Sequence, residues 1–419
     1  MVEMERSVTR FVWDVDLEET KIIYQDIGVK ELETLVEEKL ATERRQGQKR
    51  RATFTTPENQ QQCLRTSSSS EKHGCKCQLF QPCSERNEID SFESLSDEII
   101  LSILRWLPRQ QLAKCACLSK RWKRLCMDEF LWKRIDLSEK KFVSGTLGPI
   151  LLRTGIAAKL ARSTIIGSLF ENNSSQIPDE IHLTLQYLDL SMCNSRPKLL
   201  QEILSKCTSL RKLSLESCTV TEGMLTSIGV QGGLEELNLC MCLEIDDTEL
   251  QLSLAKCQRL KSLNLAWLNL SRKVVRSLVE VLPQSLEKLN IGGCRESLRD
   301  EDIEILAARC QSLIELDLSD GSSLTGSIFV DLETLSGLQH LALSRCYRIP
   351  NPMQLMDCLK RLKVLKAVEL FGLITEKDLK VMSEMLSPVR INTHPFSSIS
   401  RPTMSMSKRS YTWEINCKE

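Results

Sequence analysis

LQYLDLSMC, running from Leu185 to Cys193, decides the fold because it returns. It recurs as LRKLSLESC from Leu210, LEELNLCMC from Leu234, LKSLNLAWL from Leu260, LEKLNIGGC from Leu286, LIELDLSDG from Leu313 and LQHLALSRC from Leu338, then as a worn copy, LKVLKAVEL, from Leu362. The starts lie 25, 24, 26, 26, 27, 25 and 24 residues apart. That is the period of a repeat that stacks into a solenoid. Each phrase has apolar residues around its fourth and sixth positions, as a short strand burying one face requires, and each is followed by a helical stretch, such as Leu199 to Lys206 or Asp302 to Arg309. One repeat cannot cover its own apolar face. The expectation is an α/β solenoid with a parallel sheet lining the inside of a horseshoe and helices outside.

Within this phrase the third, fifth, seventh and eighth positions point away from the core, toward the concave face. The fifth positions read Asp189, Ser214, Asn238, Asn264, Asn290, Asp317 and Ala342, a polar lining suited to hydrogen-bonding a peptide or tail. At the eighth position stands Trp267, either an exposed contact anchor or a ring folded sideways on a neighbouring loop. Arg295, Asp320 and Arg345 fall near it in successive repeats and complete one patch. Cys193, Cys218, Cys242, Cys294 and Cys346 close the phrase, while Cys207, Cys257 and Cys310 sit three residues before the next one. They read as small buried hydrophobes.

Ahead of the repeats, residues 92–132 read as three short helices with more apolar surface than they can hide. Ser96, Asp97 and Glu98 suit a helix start. Ile99, Ile100, Ile103, Leu104 and Leu107 then follow at helical spacing, and Pro108 stops the helix. A second helix from about Gln110 carries Leu112, Cys115 and Leu118; a third, around Arg121 to Phe130, carries Trp122 and Leu125. A unit this small rarely stands alone. Ile135-Asp136-Leu137 and Ile156 to Leu160 suggest irregular early repeats, which would couple the helical unit rigidly to the solenoid.

With 56 basic and 56 acidic residues the chain has no net field to recommend nucleic acid or membrane as a partner. No apolar run approaches a membrane span, and Met1 to Phe11 is charged rather than secretory. Nucleus and cytoplasm are the expected compartments, so the 18 cysteines should stay reduced. No Cys-x-x-Cys pair, glycine-rich phosphate loop or nucleophile arrangement occurs; no cofactor, metal or catalytic residue is expected, and the chain reads as a non-catalytic binding protein. His73, Cys75, Cys77 and Cys83 match no standard zinc spacing. The arm 1–90 lacks repeats and reads as largely disordered, with a basic run, Lys49-Arg50-Arg51, that suits nuclear import beside a phosphorylatable Thr53. In the tail, Phe396, Ile399, Tyr411, Trp413 and Ile415 fit an extended segment folding back along the concave face.

The series Leu95-Ser96-Asp97-Glu98-Ile99-Ile100, Ile103, Leu107-Pro108, Leu112, Lys120-Arg121-Trp122, Asp128 and Leu131-Trp132 resembles an F-box, with Ser96 where that family usually has proline. The repeats resemble leucine-rich repeats. LDLSD from Leu316, LQHLALSRCY from Leu338, INTHPFSSISRPT from Ile391 and Trp413-Glu414-Ile415 resemble the S-phase kinase-associated branch of the F-box and leucine-rich repeat family, except at His394-Pro395. The resemblance implies a substrate receptor of an SCF (Skp-cullin-F-box) ubiquitin ligase, and four segments: arm 1–90, F-box 91–137, repeats 138–387 and returning tail 388–419. It implies a Skp adaptor, and through it cullin and RING proteins, on Phe92, Leu95, Ile99, Ile103, Leu104, Leu107, Pro108, Leu112 and Trp122. It implies a Cks accessory protein and a phosphorylated Cip/Kip kinase inhibitor on Trp267, Arg295, Asp320, Arg345 and Phe396. The segment holding Phe11, Trp13, Ile22 and Ile23 resembles one that binds cyclin. Read without the resemblance, the solenoid also fits a scaffold or inhibitor unconnected with a ligase.

Overall fold

The computed structural model describes residues 92–170, 181–349, 352–402 and 411–417. The cyclin segment, the basic run and the His73 to Cys83 cluster lie outside these residues. The repeats build an eleven-stranded parallel sheet: Arg134–Asp136, Ala157–Lys159, Tyr187–Asp189, Lys212–Ser214, Glu236–Asn238, Ser262–Asn264, Lys288–Asn290, Glu315–Asp317, His340–Ala342, Ala367–Glu369 and Arg390–Ile391. Its register follows the phrase, with Leu188, Leu213, Leu237, Leu263, Leu289, Leu316, Leu341 and Val368 in line across neighbouring strands. These residues are buried completely or nearly so. Burying each such side chain contributes about 1.5–3 kcal/mol, so the stacked leucine rows dominate solenoid stability.

The last phrase corrects the sequence reading. Val368 pairs with Leu341, so the worn repeat starts at Leu365, not Leu362, and its phrase is LKAVELFGL. Two leucines three residues apart offered rival registers, and the strand took the one that buries Val368 and Leu370. A final strand, Arg390–Ile391, extends the sheet into what the sequence assigned to the tail.

The helical hook comprises α1 Asp97–Leu104, α2 Arg109–Ala116, α3 Lys120–Cys126 and α4 Glu129–Trp132. The expected third helix is thus two. Ser96 precedes α1 without capping it through its side chain, whereas Ser119 accepts the Trp122 amide and Asp128 that of Phe130. Helix α4 runs directly into the first strand. Trp132 is buried there and donates its indole Nε1–H to the Cys126 carbonyl at 2.9 Å. Arg109 packs over that ring, 4.7 Å from its centroid, and donates to the Arg134 carbonyl at 2.7 Å. One continuous apolar core therefore runs from Ile100 in the hook to Leu386 at the far end of the repeats.

Candidate functional sites

The hook divides its apolar stripe between two faces. Ile100 and Leu104, four residues apart, point into the core together with Leu112. Ile99, Ile103 and Trp106 lie on the other face, 49%, 42% and 77% exposed. Leu104 and Leu112, expected on the adaptor face, are instead the hook's own filling, because the stripe is wider than one packing contact can cover. Leu95, Leu107 and Trp122 are half-buried against that core, Pro108 is exposed, and Phe92 meets Trp122 edge-to-face with ring centroids 5.3 Å apart. Trp106 was missed by the sequence reading, and Leu118, read there as part of the second helix's apolar stripe, is exposed. The i, i+4, i+7 spacing from Ile99 would have found Trp106. Arg121 pins the leading segment: its guanidinium donates to Asp97 at 3.0 Å and to the Phe92 and Leu95 carbonyls.

On the solenoid, the eighth phrase position forms a ridge. Its backbone is left-handed in every phrase copy: Met192, Ser217, Met241, Trp267, Gly293, Asp320, Arg345 and Gly372 all have φ between 56° and 80°. The cause is hydrogen bonding beyond the strand. From Met192 to Arg345 each eighth N–H donates to the seventh carbonyl of the next repeat, as Met241 to Ala266 at 2.9 Å, Trp267 to Gly292 at 2.9 Å and Asp320 to Ser344 at 2.8 Å. Holding a bulky residue left-handed costs on the order of 1 kcal/mol, which the continued ladder offsets. The outcome is a row of side chains along one edge of the sheet.

Trp267, Asp320 and Arg345 stand on this row. Trp267 is 42% exposed, its ring beneath the Arg295 guanidinium, 5.8 Å from the centroid. Arg345 donates through Nε to Asp320 at 2.6 Å, and through a second nitrogen to the other carboxylate oxygen. This bidentate bond holds the guanidinium pKa above its ordinary value. Trp267, Asp320, Arg345 and Phe396 share one cleft. Arg295 lines an adjoining cleft on the other side of Trp267. Phe396 is 79% exposed, and so is much of Tyr347, two residues after Arg345, to which the sequence reading gave no role.

The fifth positions meet their expectation only in part. All but half-buried Ala342 are buried, and most are engaged by their own backbone. The side-chain oxygens of Asp136, Asp189, Asn238, Asn264, Asn290 and Asp317 each accept the amide two residues on, at 2.9–3.1 Å. They turn the chain out of the strand, and Asn290 and Asp317 also line the cleft of Trp267, Asp320 and Arg345. Asn264 has a second role: its Nδ2 donates to the Ile399 carbonyl at 3.0 Å, beside a Ser262–Ser400 hydroxyl contact of 2.7 Å. Arg401 pairs with Glu216 at 3.2 Å, and buried Trp413 lies 6.3 Å from Tyr187, ring to ring. The described part of the tail thus occupies the concave face from the last strands to the third.

Residues 145–419 match the family described as the SKP2 LRR domain, and residues 92–138 match the F-box-like family. This chain belongs to the SKP2 LRR domain family, with an F-box ahead of the repeats. Among curated proteins the F-box/LRR chain is similar to human (Homo sapiens) F-box/LRR-repeat protein 12, 25% identical over 305 residues covering 67% of this chain and 88% of that one. It is also similar to lysine-specific demethylase 2B of Mus musculus, 24% identical over 304 residues, 68% of this chain but 21% of the demethylase. The chain therefore spans about a fifth of that relative's length. Of solved structures, the complex of Rad7 and Elc1 in yeast aligns with a TM-score of 0.40 at 16% identity, covering 70% of this chain and 92% of that one. An F-box implies a Skp adaptor, and through it a cullin, as partner. F-box/LRR architecture is typical of non-catalytic substrate adaptors.

Proposed function

We propose that this F-box/LRR protein is the S-phase kinase-associated F-box protein, the substrate-recognition subunit of an SCF ubiquitin ligase that is not itself an enzyme. The F-box holds the Skp adaptor, and with it cullin and the RING protein. The ridge of Trp267, Asp320 and Arg345, with Arg295 and Phe396, receives a Cks accessory protein and a phosphorylated Cip/Kip inhibitor, which is ubiquitinated and degraded by the proteasome at the G1/S transition of the cell cycle. Cyclin binds the arm around Phe11, Trp13, Ile22 and Ile23, and the protein works in nucleus and cytoplasm. Transfer is favoured by raised local concentration of the substrate lysine near the conjugating enzyme.

The observation that carries this reading is the division of α1: Ile100 and Leu104 satisfy the hook's core, while Ile99, Ile103 and, just past the helix end, Trp106 remain in solvent on the other face. Apolar side chains grouped on one helix face suit a protein partner. The test is co-purification with recombinant Skp adaptor. Ile103→Asp should abolish it with the circular dichroism unchanged; retention would favour a scaffold outside any ligase. For the ridge, Arg345→Ala and Asp320→Ala should each reduce capture of a phosphorylated Cip/Kip peptide in the presence of Cks protein, with adaptor binding intact. Equal capture would move the cargo site elsewhere.

A further inference from the structure

We infer that Gly293 is a positioning residue that seats the Trp267 ring, so that the ring stands as a partition between two clefts. Two eighth positions on the ridge are glycine, Gly293 and Gly372, with φ of 80° and 75°. The dihedral alone does not explain them, since Met192, Ser217, Met241, Trp267, Asp320 and Arg345 adopt the same left-handed backbone with side chains attached. Space does. A Cβ on Gly293 would lie 2.5 Å from Cδ2 of Trp267 and 2.9 Å from its Cγ, closer than any real contact. The indole therefore lies directly over the Gly293 backbone, with the Arg295 guanidinium also near the ring.

A milder form of the device recurs once. Gly372 follows Arg345 in the row, and a Cβ there would meet Arg345 Cγ at 3.1 Å. At Gly293 the large side chain lies across the next repeat only because that repeat has none; at Gly372 an added Cβ would ask Arg345 to give by a few tenths of an ångström. Seated in this way, Trp267 contributes to both clefts. One holds Asp320, Arg345 and Phe396; the other holds Asn269, Arg295 and Ser322. A side chain at 293 would push the ring aside and join the two. Anchors fixed before binding lose less conformational freedom on association, so Gly293 would act on cargo affinity through Trp267.

The consequence for cargo rests on the ridge being the cargo site; the seating of the ring does not. Gly293→Ala and Gly293→Asn test both. Asparagine adopts left-handed backbone readily, so agreement between the two variants assigns the effect to the added Cβ rather than to dihedral strain. Trp267 is followed by its indole N–H resonance, assigned with Trp267→Phe, and adaptor co-purification reports folding. Both glycine variants should shift that resonance and weaken capture of the Cip/Kip phosphopeptide with Cks by on the order of tenfold. Added to Trp267→Ala, they should weaken it no further. An unmoved resonance overturns the inference, as does an equal loss on top of Trp267→Ala. If Trp267→Ala alone captures cargo like the parent, the ridge reading fails, and the resonance still decides whether Gly293 seats the ring.

Discussion

At the scale of single residues, the fifth and ninth phrase positions carry the energetics that set the repeats' tolerance. Asp189 occupies a place where later repeats use Asn238, Asn264 and Asn290, and one side-chain oxygen performs the same turn-closing bond in all of them. The second oxygen brings a buried charge. Burial raises the Asp189 carboxyl from 3.8 to about 6, against the lowering effect of bonds from Ser191 and of nearby Lys159. A raised folded-state pKa means its stabilising contribution is complete below about pH 3.8 and is lost as pH rises through about 6. Asp189→Asn keeps the bond without the charge. It should raise stability at pH 7.5 by on the order of 1 kcal/mol and flatten the melting temperature between pH 5 and 7.5; an unchanged profile would contradict this. The cysteines were legible as small buried residues, but their bonding was not. Cys218, Cys242 and Cys346 each donate Sγ–H to the sixth-position carbonyl of the preceding repeat, at 3.0–3.3 Å. Burial lifts the Cys218 and Cys346 thiols from 9.0 to about 12. These thiols should resist alkylation at pH 8 in the native protein and react after unfolding, as mass spectrometry would read. Their contribution to stability is present below pH 9 and is lost as pH rises toward about 12.

At the scale of elements, α1 separates folding from binding in eight residues. Leu104→Ala should cost about 2–5 kcal/mol, the usual penalty for emptying a core leucine site. Ile103→Asp and Trp106→Ala, on the exposed face, should change stability by no more than about 0.5 kcal/mol. Denaturant melts of the three variants check this, and equal losses would mean the helix has no free face. Helical periodicity exposed the stripe in the sequence but not its division. Ile99 and Ile100 are adjacent and equally apolar, and only the direction of α3 decides which of them turns inward. The ridge was likewise half-legible. Phrase position singled out Trp267, Asp320 and Arg345, yet their shared left-handed backbone depends on hydrogen bonds to the next repeat, which no single phrase contains.

At the scale of the whole molecule, the hook and the repeats share one core, and the tail crosses the concave face with Ile399, Trp413 and Cys417 buried. Ending the chain after Ser387 removes those side chains and the last strand. That truncation should lower stability by on the order of 5 kcal/mol while adaptor binding survives, since the hook's exposed face lies on α1. Thermal melting with an adaptor pull-down would show it. The account's central claim is that one rigid body presents two independent surfaces, a greasy helix face and a repeat edge. The most direct test captures both partners in a single assay, adaptor and Cks-bound phosphopeptide, with the parent chain, Ile103→Asp and Arg345→Ala. The account predicts that Ile103→Asp loses only the adaptor and Arg345→Ala only the cargo. A variant that keeps both partners, or loses both while still folded, would contradict it.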